Sequence, residues 1–473
     1  MLFNSLTFIV FFMVVLMVHY SPIKWRGKKI SLLVASYLFY AAWNPPFVLL
    51  LWLSTFVDWH AAKKMHATND QAERKRWLLL SMFVNLGMLG FFKYGGFLLE
   101  NFVLLVQMAG IDYAPAAPDI ILPMGISFYT FQTMAYTIDV YLKRDKPADS
   151  FLDFSLFVTF FPQLVAGPIV RPSELIPQFK TPRVATSSQL IWGFGLMTLG
   201  LFQKLVIADT LLSPVSEDVF GNFAPVHIGD AWLGLLAFSG QIFCDFAGYS
   251  TTAIGAALCL GFALPENFNM PYAAIGFSDF WRRWHISLSS WLRDYLYIPL
   301  GGNRSGKGRT YFNLMMTMFL GGLWHGASWT FAIWGILHGL YLVVERFLKK
   351  IFQGKTWLHN WAVNIGLGLV TFYFVNIAWV FFRAKDFDGA GSMMASLHGF
   401  IPDGMKILST LSIISVVSVM LGMLGIQWWM RDRTLESIVS NMSWWQVGII
   451  WSAMIFLLII NQGGGNAFIY FQF

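Results

Sequence analysis

Two histidines stand in apolar sequence with no further ligand at metal-binding spacing, so the chemistry open to them is hydrogen bonding and proton transfer. His285 follows Trp281, Arg282, Arg283 and Trp284, and His325 is enclosed by Gly321, Gly322, Leu323, Trp324, Gly326 and Ala327. Small residues let backbone come close to that second ring. An imidazole at membrane depth must find a hydrogen-bond partner or a water-filled cavity, so a functional site is the default expectation for it. A neutral ring can take a proton from a hydroxyl, the step that acyl transfer to oxygen requires. His325 is therefore the expected base, and His285 is expected to hydrogen-bond the acyl carbonyl or to orient its partner. The plainer readings are a core histidine bonded to a carbonyl for His325 and an interfacial ring for His285.

Other polar groups in apolar surroundings fall into two sets. Arg282, Arg283 and Arg293 are expected either to anchor in lipid phosphate or to attract an anionic, phosphate-bearing donor such as a coenzyme A thioester. Asp245, Tyr249 and Ser250, in CDFAGYSTTAIG, are expected to face the protein interior, where Asp245, Tyr249 and the neighbouring Trp324 can support a catalytic imidazole. His338 and Glu345 add polarity to the following helix, His338 more as a structural residue. The glycine-rich run GGNRSGKG at 301–308 lacks the register of a phosphate-binding loop. Cys244 and Cys259 have neither disulfide-framework nor zinc spacing, and no metal site is expected.

The elements that must position these groups are membrane helices. Of 473 residues, 56% are hydrophobic and 12% charged, against roughly 45 to 50% and about 25% in soluble domains. At roughly 20 residues per span this length holds on the order of ten to twelve crossings. No polar block is long enough for a separate soluble domain, so residues 1–473 are expected to form one membrane domain. The net charge of +7 lies in short connections, where it reports topology and argues against nucleic-acid binding. Residues 3–20 form a first apolar span without a signal-peptide cleavage site. The basic clusters Lys24–Lys29, Lys63–Arg76 and Lys143–Lys146 are expected on the cytoplasmic side, and the loop at 110–119 and both termini on the outer side. A hairpin turns at Asn44, Pro45 and Pro46. The long apolar stretch after Trp77 is expected to kink or break at Lys93, Tyr94, Gly95 and Gly96. Residues 151–167, flanked by basic loops and too short to cross twice, predict a re-entrant segment returning at Gly167 and Pro168. The stretch from Phe280 to Gly302 reads as a cytoplasmic amphipathic or re-entrant helix.

Seven segments, LPMGISFYTFQTMAYTIDVY, QLVAGPIVR, CDFAGYS, ENFNMPY, FWRRWHISLSSWLRDYLYIPLGGNR, GGLWHGASWTFAIWG and the terminal IYFQF, resemble the membrane-bound O-acyltransferase family, in its bacterial alginate O-acetyltransferase-like branch. The resemblance implies an all-α polytopic fold, a ring of roughly ten to twelve helices with re-entrant segments around a thin core entered by a cytoplasmic funnel. The catalytic core would span about 120–345. It implies that the family's histidine corresponds to His325 and its second polar site to His285, with acetyl-CoA as co-substrate and no permanently bound cofactor. It further implies a bacterial inner-membrane location, an SGNH-hydrolase-like partner, and O-acetylation of an exported polysaccharide such as alginate or cellulose. Relatives that modify peptidoglycan or transfer D-alanine keep those outcomes open. So does a different class, a glycan or acyl-carrier transporter that does no chemistry. In the tail, 463–473, Tyr470 follows a triple-glycine hinge and is expected either to anchor in the interface or to relay the acetyl group.

Overall fold

The computed structural model describes residues 1, 3–116, 118–222, 224–304, 306–355 and 360–461. Among them the chain is helical, with one isolated bridge between Val226 and Met405. Six helices are long and apolar enough to cross a membrane by length and composition. Leu6–Tyr20 and Trp444–Ile460 are shorter apolar helices of 15 and 17 residues. The long helices use more residues than the even partition assumed: Gln71–Met108 has 38 and Ile228–Cys259 has 32.

The chain divides into two compact units, one of residues 1–194 and 253–265, the other of residues 195–252 and 266–473. In the first, Asp70 starts the long helix by accepting the Ala72 N–H, with Glu73 in the first turn, both favourable at a helix N-terminus. That helix runs unbroken through Lys93 to Gly96, where the sequence predicted an interruption. A helix bears isolated glycines at a cost of about 1 kcal/mol each, and this one absorbs them. Beside it, a buried polar cluster fastens three helices: Asp58 accepts from Ser81 Oγ at 2.6 Å and Asn85 Nδ2 at 2.8 Å, and Thr133 Oγ1 donates to Asn85 Oδ1 at 3.1 Å. Residues 151–167 are two short helices, Phe151–Thr159 and Phe161–Leu164, parted at Phe160. Ser150 caps the first, and Lys29 pairs with its Asp153.

The second unit holds both histidines. Its core gathers Phe238, Phe280, Trp284, Trp334, Trp379 and Phe382, each at most 1% exposed. The helices Lys307–His325 and Trp329–Ile351 form a hairpin across Gly326–Ser328, with Ser328 accepting the Thr330 N–H. The pair packs backbone to backbone. A Cβ at Gly322 would lie 2.3 Å from the Phe331 carbonyl oxygen, and one at Gly335 2.3 Å from that of Met318. Only glycine admits this approach, and it places the end of the first helix against the second. The Phe280–Gly302 stretch is broken: Phe277–Arg283 and Ile286–Leu292 are short helices on either side of His285, followed by a π-helical segment, Arg293–Tyr297.

Candidate active site: two imidazoles and one indole

His325 is the last residue of its helix and is 3% exposed. Its ring lies among aromatic faces, 5.1 Å from Trp324, 5.0 Å from Trp334 and 5.4 Å from Phe382, centroid to centroid. Helix termination is what allows this, because the chain leaves through Gly326 instead of covering the ring with another turn.

His285 is fully buried and held in the left-handed region at φ 42° and ψ 56°. A non-glycine residue there is uncommon and costs on the order of 1 to 3 kcal/mol unless its surroundings impose it. Asn267 imposes it. Its carbonyl accepts the Ile286 N–H at 2.9 Å, and the Asn269 N–H donates to the Arg283 carbonyl at 2.9 Å, so residues 267–269 clamp the reversal from both sides. The ring then packs 4.7 Å from Phe246 and 6.1 Å from Trp324. Trp324 thus packs against both imidazoles.

The network around Asn267 also assigns the proton on His285. Asn267 Oδ1 accepts from the Ser287 N–H at 3.2 Å and Ser287 Oγ at 2.8 Å, while its Nδ2 donates to Ser250 Oγ at 3.1 Å. The atom 3.1 Å from His285 Nδ1 is therefore an acceptor, and Nδ1 carries the hydrogen. Nε2 keeps the lone pair. Burial pushes this imidazole down to about 3, outside the six candidate spans, so it is neutral at physiological pH. A neutral ring with its single N–H spent on Asn267 cannot donate to an acyl carbonyl. Of the two roles expected for His285, orienting a partner by accepting a proton or hydrogen bond is the one its tautomer permits.

Asp245 forms an ion pair with Lys204, which also meets Asp209 at 2.8 Å. All three are buried, and Lys204 and Asp209 lie on a π-helical segment, Phe202–Leu212, a form frequent at functional sites. Tyr249 is buried on the Ile228–Cys259 helix. Arg283 is committed internally: Nε meets Asp279 at 3.0 Å and Nη1 donates to the Arg431 carbonyl at 3.0 Å, while Arg431 reaches the second Asp279 oxygen at 3.0 Å. Arg282 is exposed, and Arg293 pairs with Asp294 at 2.7 Å in an exposed position. His338 packs 4.7 Å from Trp334 and 5.9 Å from Phe280, and Glu345 accepts the Ser278 N–H at 2.8 Å. Tyr470 and the 463–465 hinge lie outside the described residues.

Asn267 and Ser287 join the site without having been singled out as site residues by the sequence, and Lys204 and Asp209 likewise emerge as the partners of Asp245. The signal available for Asn267 was its place in the polar run ENFN between apolar segments. Lys204 and Asp209 are five apart and pair on a π-helical segment that the sequence does not announce.

The family description MBOAT, membrane-bound O-acyltransferase family, matches residues 142–384, the part holding both histidines. The chain is 41% identical over 402 residues to a probable alginate O-acetylase AlgI of Azotobacter vinelandii, covering 85% of this chain and 78% of that protein. It is 40% identical over 407 residues to the AlgI of Pseudomonas aeruginosa, covering 85% and 75%. To a peptidoglycan O-acetyltransferase of Helicobacter pylori it is 39% identical over 430 residues, covering 84% and 80%. Matched across the stretch that carries its buried imidazoles and over most of its length, the chain belongs to the membrane-bound O-acyltransferase family and is a polytopic membrane O-acetyltransferase.

Proposed function

We propose that the protein passes acetyl groups from cytoplasmic acetyl-CoA across the bacterial inner membrane for O-acetylation of an exported polysaccharide such as alginate or cellulose, with His325 as base. The acceptor hydroxyl adds to the thioester carbonyl while its proton moves to a ring nitrogen of His325. The tetrahedral intermediate then expels the coenzyme A thiolate, which takes that proton and leaves the acetyl ester. His285 Nε2 accepts a hydrogen bond from the incoming hydroxyl and orients it. The observation that carries this reading is the pair of buried imidazoles that both pack against the Trp324 ring, where a proton acceptor works in apolar surroundings.

Arg282 and Arg293 attract the donor's phosphates, Arg293 from an exposed position where solvent screens its pairing with Asp294. Arg283 contributes by bracing the turn before His285, since Asp279 already takes its charge. Tyr470 serves as acetyl relay, and an SGNH-hydrolase-like partner completes transfer to the glycan. Similarity to AlgI proteins supports the polysaccharide acceptor. The match to a peptidoglycan O-acetyltransferase favours a second reading, in which the same chemistry serves the cell wall. Acetyl-ester analysis of the exported polysaccharide and of purified peptidoglycan from a deletion strain separates the two. Loss of esters from the polysaccharide alone supports the first reading, loss from peptidoglycan alone supports the second, and loss from neither refutes both.

A further inference from the structure

The first unit contains a cavity of about 730 Å³ that the acetyl-transfer reading does not use. Its lining comes entirely from residues 66–180, and neither His285 nor His325 contributes. The volume falls in the range of small-molecule sites. Arg74, Lys143, Arg144, Lys146 and Lys180 line it, against two carboxylates, Asp145 and Asp149. Asp149 is taken by Lys180 at 3.1 Å, and Arg144 by Asp139 at 3.5 Å. Among the described residues no carboxylate forms an ion pair with Arg74, Lys143 or Lys146.

Arg74 is the telling residue, because it is 3% exposed. Its guanidinium donates to the carbonyls of Met65, Val140 at 3.0 Å and Tyr141 at 2.7 Å. These contacts tie the end of the Val48–Ala67 helix to that of the Ile126–Tyr141 helix, but the carbonyls carry only partial charge. The Nε–H is buried with no acceptor among the described residues. A buried cation without a counter-charge is costly, and this one faces a cavity rimmed by the exposed ammonium groups of Lys143 and Lys146. Guanidinium and ammonium groups converging on one enclosure are suited to a phosphate.

We propose that this cavity binds a phosphate-bearing anion, with Arg74 at its floor and Lys143 and Lys146 at its rim. Two sources share that chemistry: the headgroup of an anionic lipid, in reach because basic loops sit beside the membrane surface, and a soluble phosphate compound.

The test uses the purified full chain in detergent. Native mass spectrometry measures retention of dioleoylphosphatidylglycerol against dioleoylphosphatidylcholine, and calorimetry measures binding of pyrophosphate. Arg74→Gln would remove a structural brace together with the charge. The rim variant Lys143→Gln/Lys146→Gln alters only exposed side chains and is the informative one. The expected result is saturable binding of at least one anionic probe, weakened about tenfold or more in the rim variant at unchanged melting temperature. Phosphatidylglycerol retention that is selective and sensitive to the variant assigns a lipid headgroup; pyrophosphate binding alone assigns a soluble ligand. No selective binding of either probe, or binding equal in wild type and rim variant, overturns the proposal. Acetyl transfer is not the readout, so failure here leaves the histidine site untouched.

Discussion

At the scale of single residues, the proposed role of His285 depends on which of its nitrogens holds a proton. Asn267 decides that through one oxygen shared between Ser287 and the ring. Asn267→Ala removes the side-chain oxygen that takes the His285 and Ser287 hydrogens but keeps the backbone carbonyl that holds Ile286, and is expected to lower the acetyl-transfer rate on the order of 100-fold with the protein still in the membrane. A rate within twofold of wild type would mean that His285 orientation is unimportant. Protonation has a consequence for stability as well. The unfolded ring titrates near ~6.5, whereas burial pushes the folded ring down to about 3. The unfolded state therefore binds more protons between those values, and the contribution of the neutral buried ring is whole above about pH 6.5 and lost as pH falls below it. Melting temperatures from pH 7 to pH 4 should fall more steeply for wild type than for His285→Gln, and parallel curves would contradict the assignment. Both histidines were legible in the sequence because imidazoles are conspicuous in apolar runs. Asn267 was not, since its role depends on a backbone reversal 18 positions away.

At the scale of elements, the crossing of Lys307–His325 with Trp329–Ile351 sets the position of His325. Gly322→Ala would put a methyl group 2.3 Å from the Phe331 carbonyl oxygen, and the helices must part. We expect a loss of about 1 to 3 kcal/mol in detergent unfolding, together with reduced acetyl transfer. Gly308→Ala, in the same helix with nothing within 4 Å of the added atom, should be neutral or stabilising by up to about 1 kcal/mol. Equal effects from the two variants would show that the crossing is not tight. Element type followed from composition and apolar run length, but breaks followed less well. Glycines at 95 and 96 do not interrupt the Gln71–Met108 helix, whereas the chain does break at Phe160, between two short buried helices, and at His285. A tertiary clamp without a local sequence mark decides the break at His285, whereas Pro162, at the start of Phe161–Leu164, marks the one at Phe160. The pairing of Lys204 with Asp209 at 2.8 Å, on a π-helical segment, was hidden as well.

At the scale of the whole molecule, charge sets orientation. The Lys63–Arg76 and Lys143–Lys146 clusters should face the cytoplasm, with the 110–119 loop outside. Cys244 and Cys259 are both buried, so an introduced thiol can be labelled over a low background. Asp112→Cys should react with a membrane-impermeant maleimide in intact spheroplasts and Lys64→Cys only after permeabilisation; the opposite pattern would invert the topology. Family membership was legible from long motifs spread along the chain, and the comparisons agree with it. The division into two compact units was not, because both consist of the same apolar helices and no linker of distinct composition separates them.

In the proposed reaction His325 takes the proton during acetyl transfer. The most direct test of that role is the acetyl-ester content of exported polymer in cells that carry His325→Ala in place of the wild-type chain, at equal membrane abundance. Esters should fall to the level of the deletion strain, whereas His338→Gln, which alters the other imidazole packed against Trp334, should retain a measurable fraction. Ester content at the wild-type level in the His325→Ala cells would contradict that role.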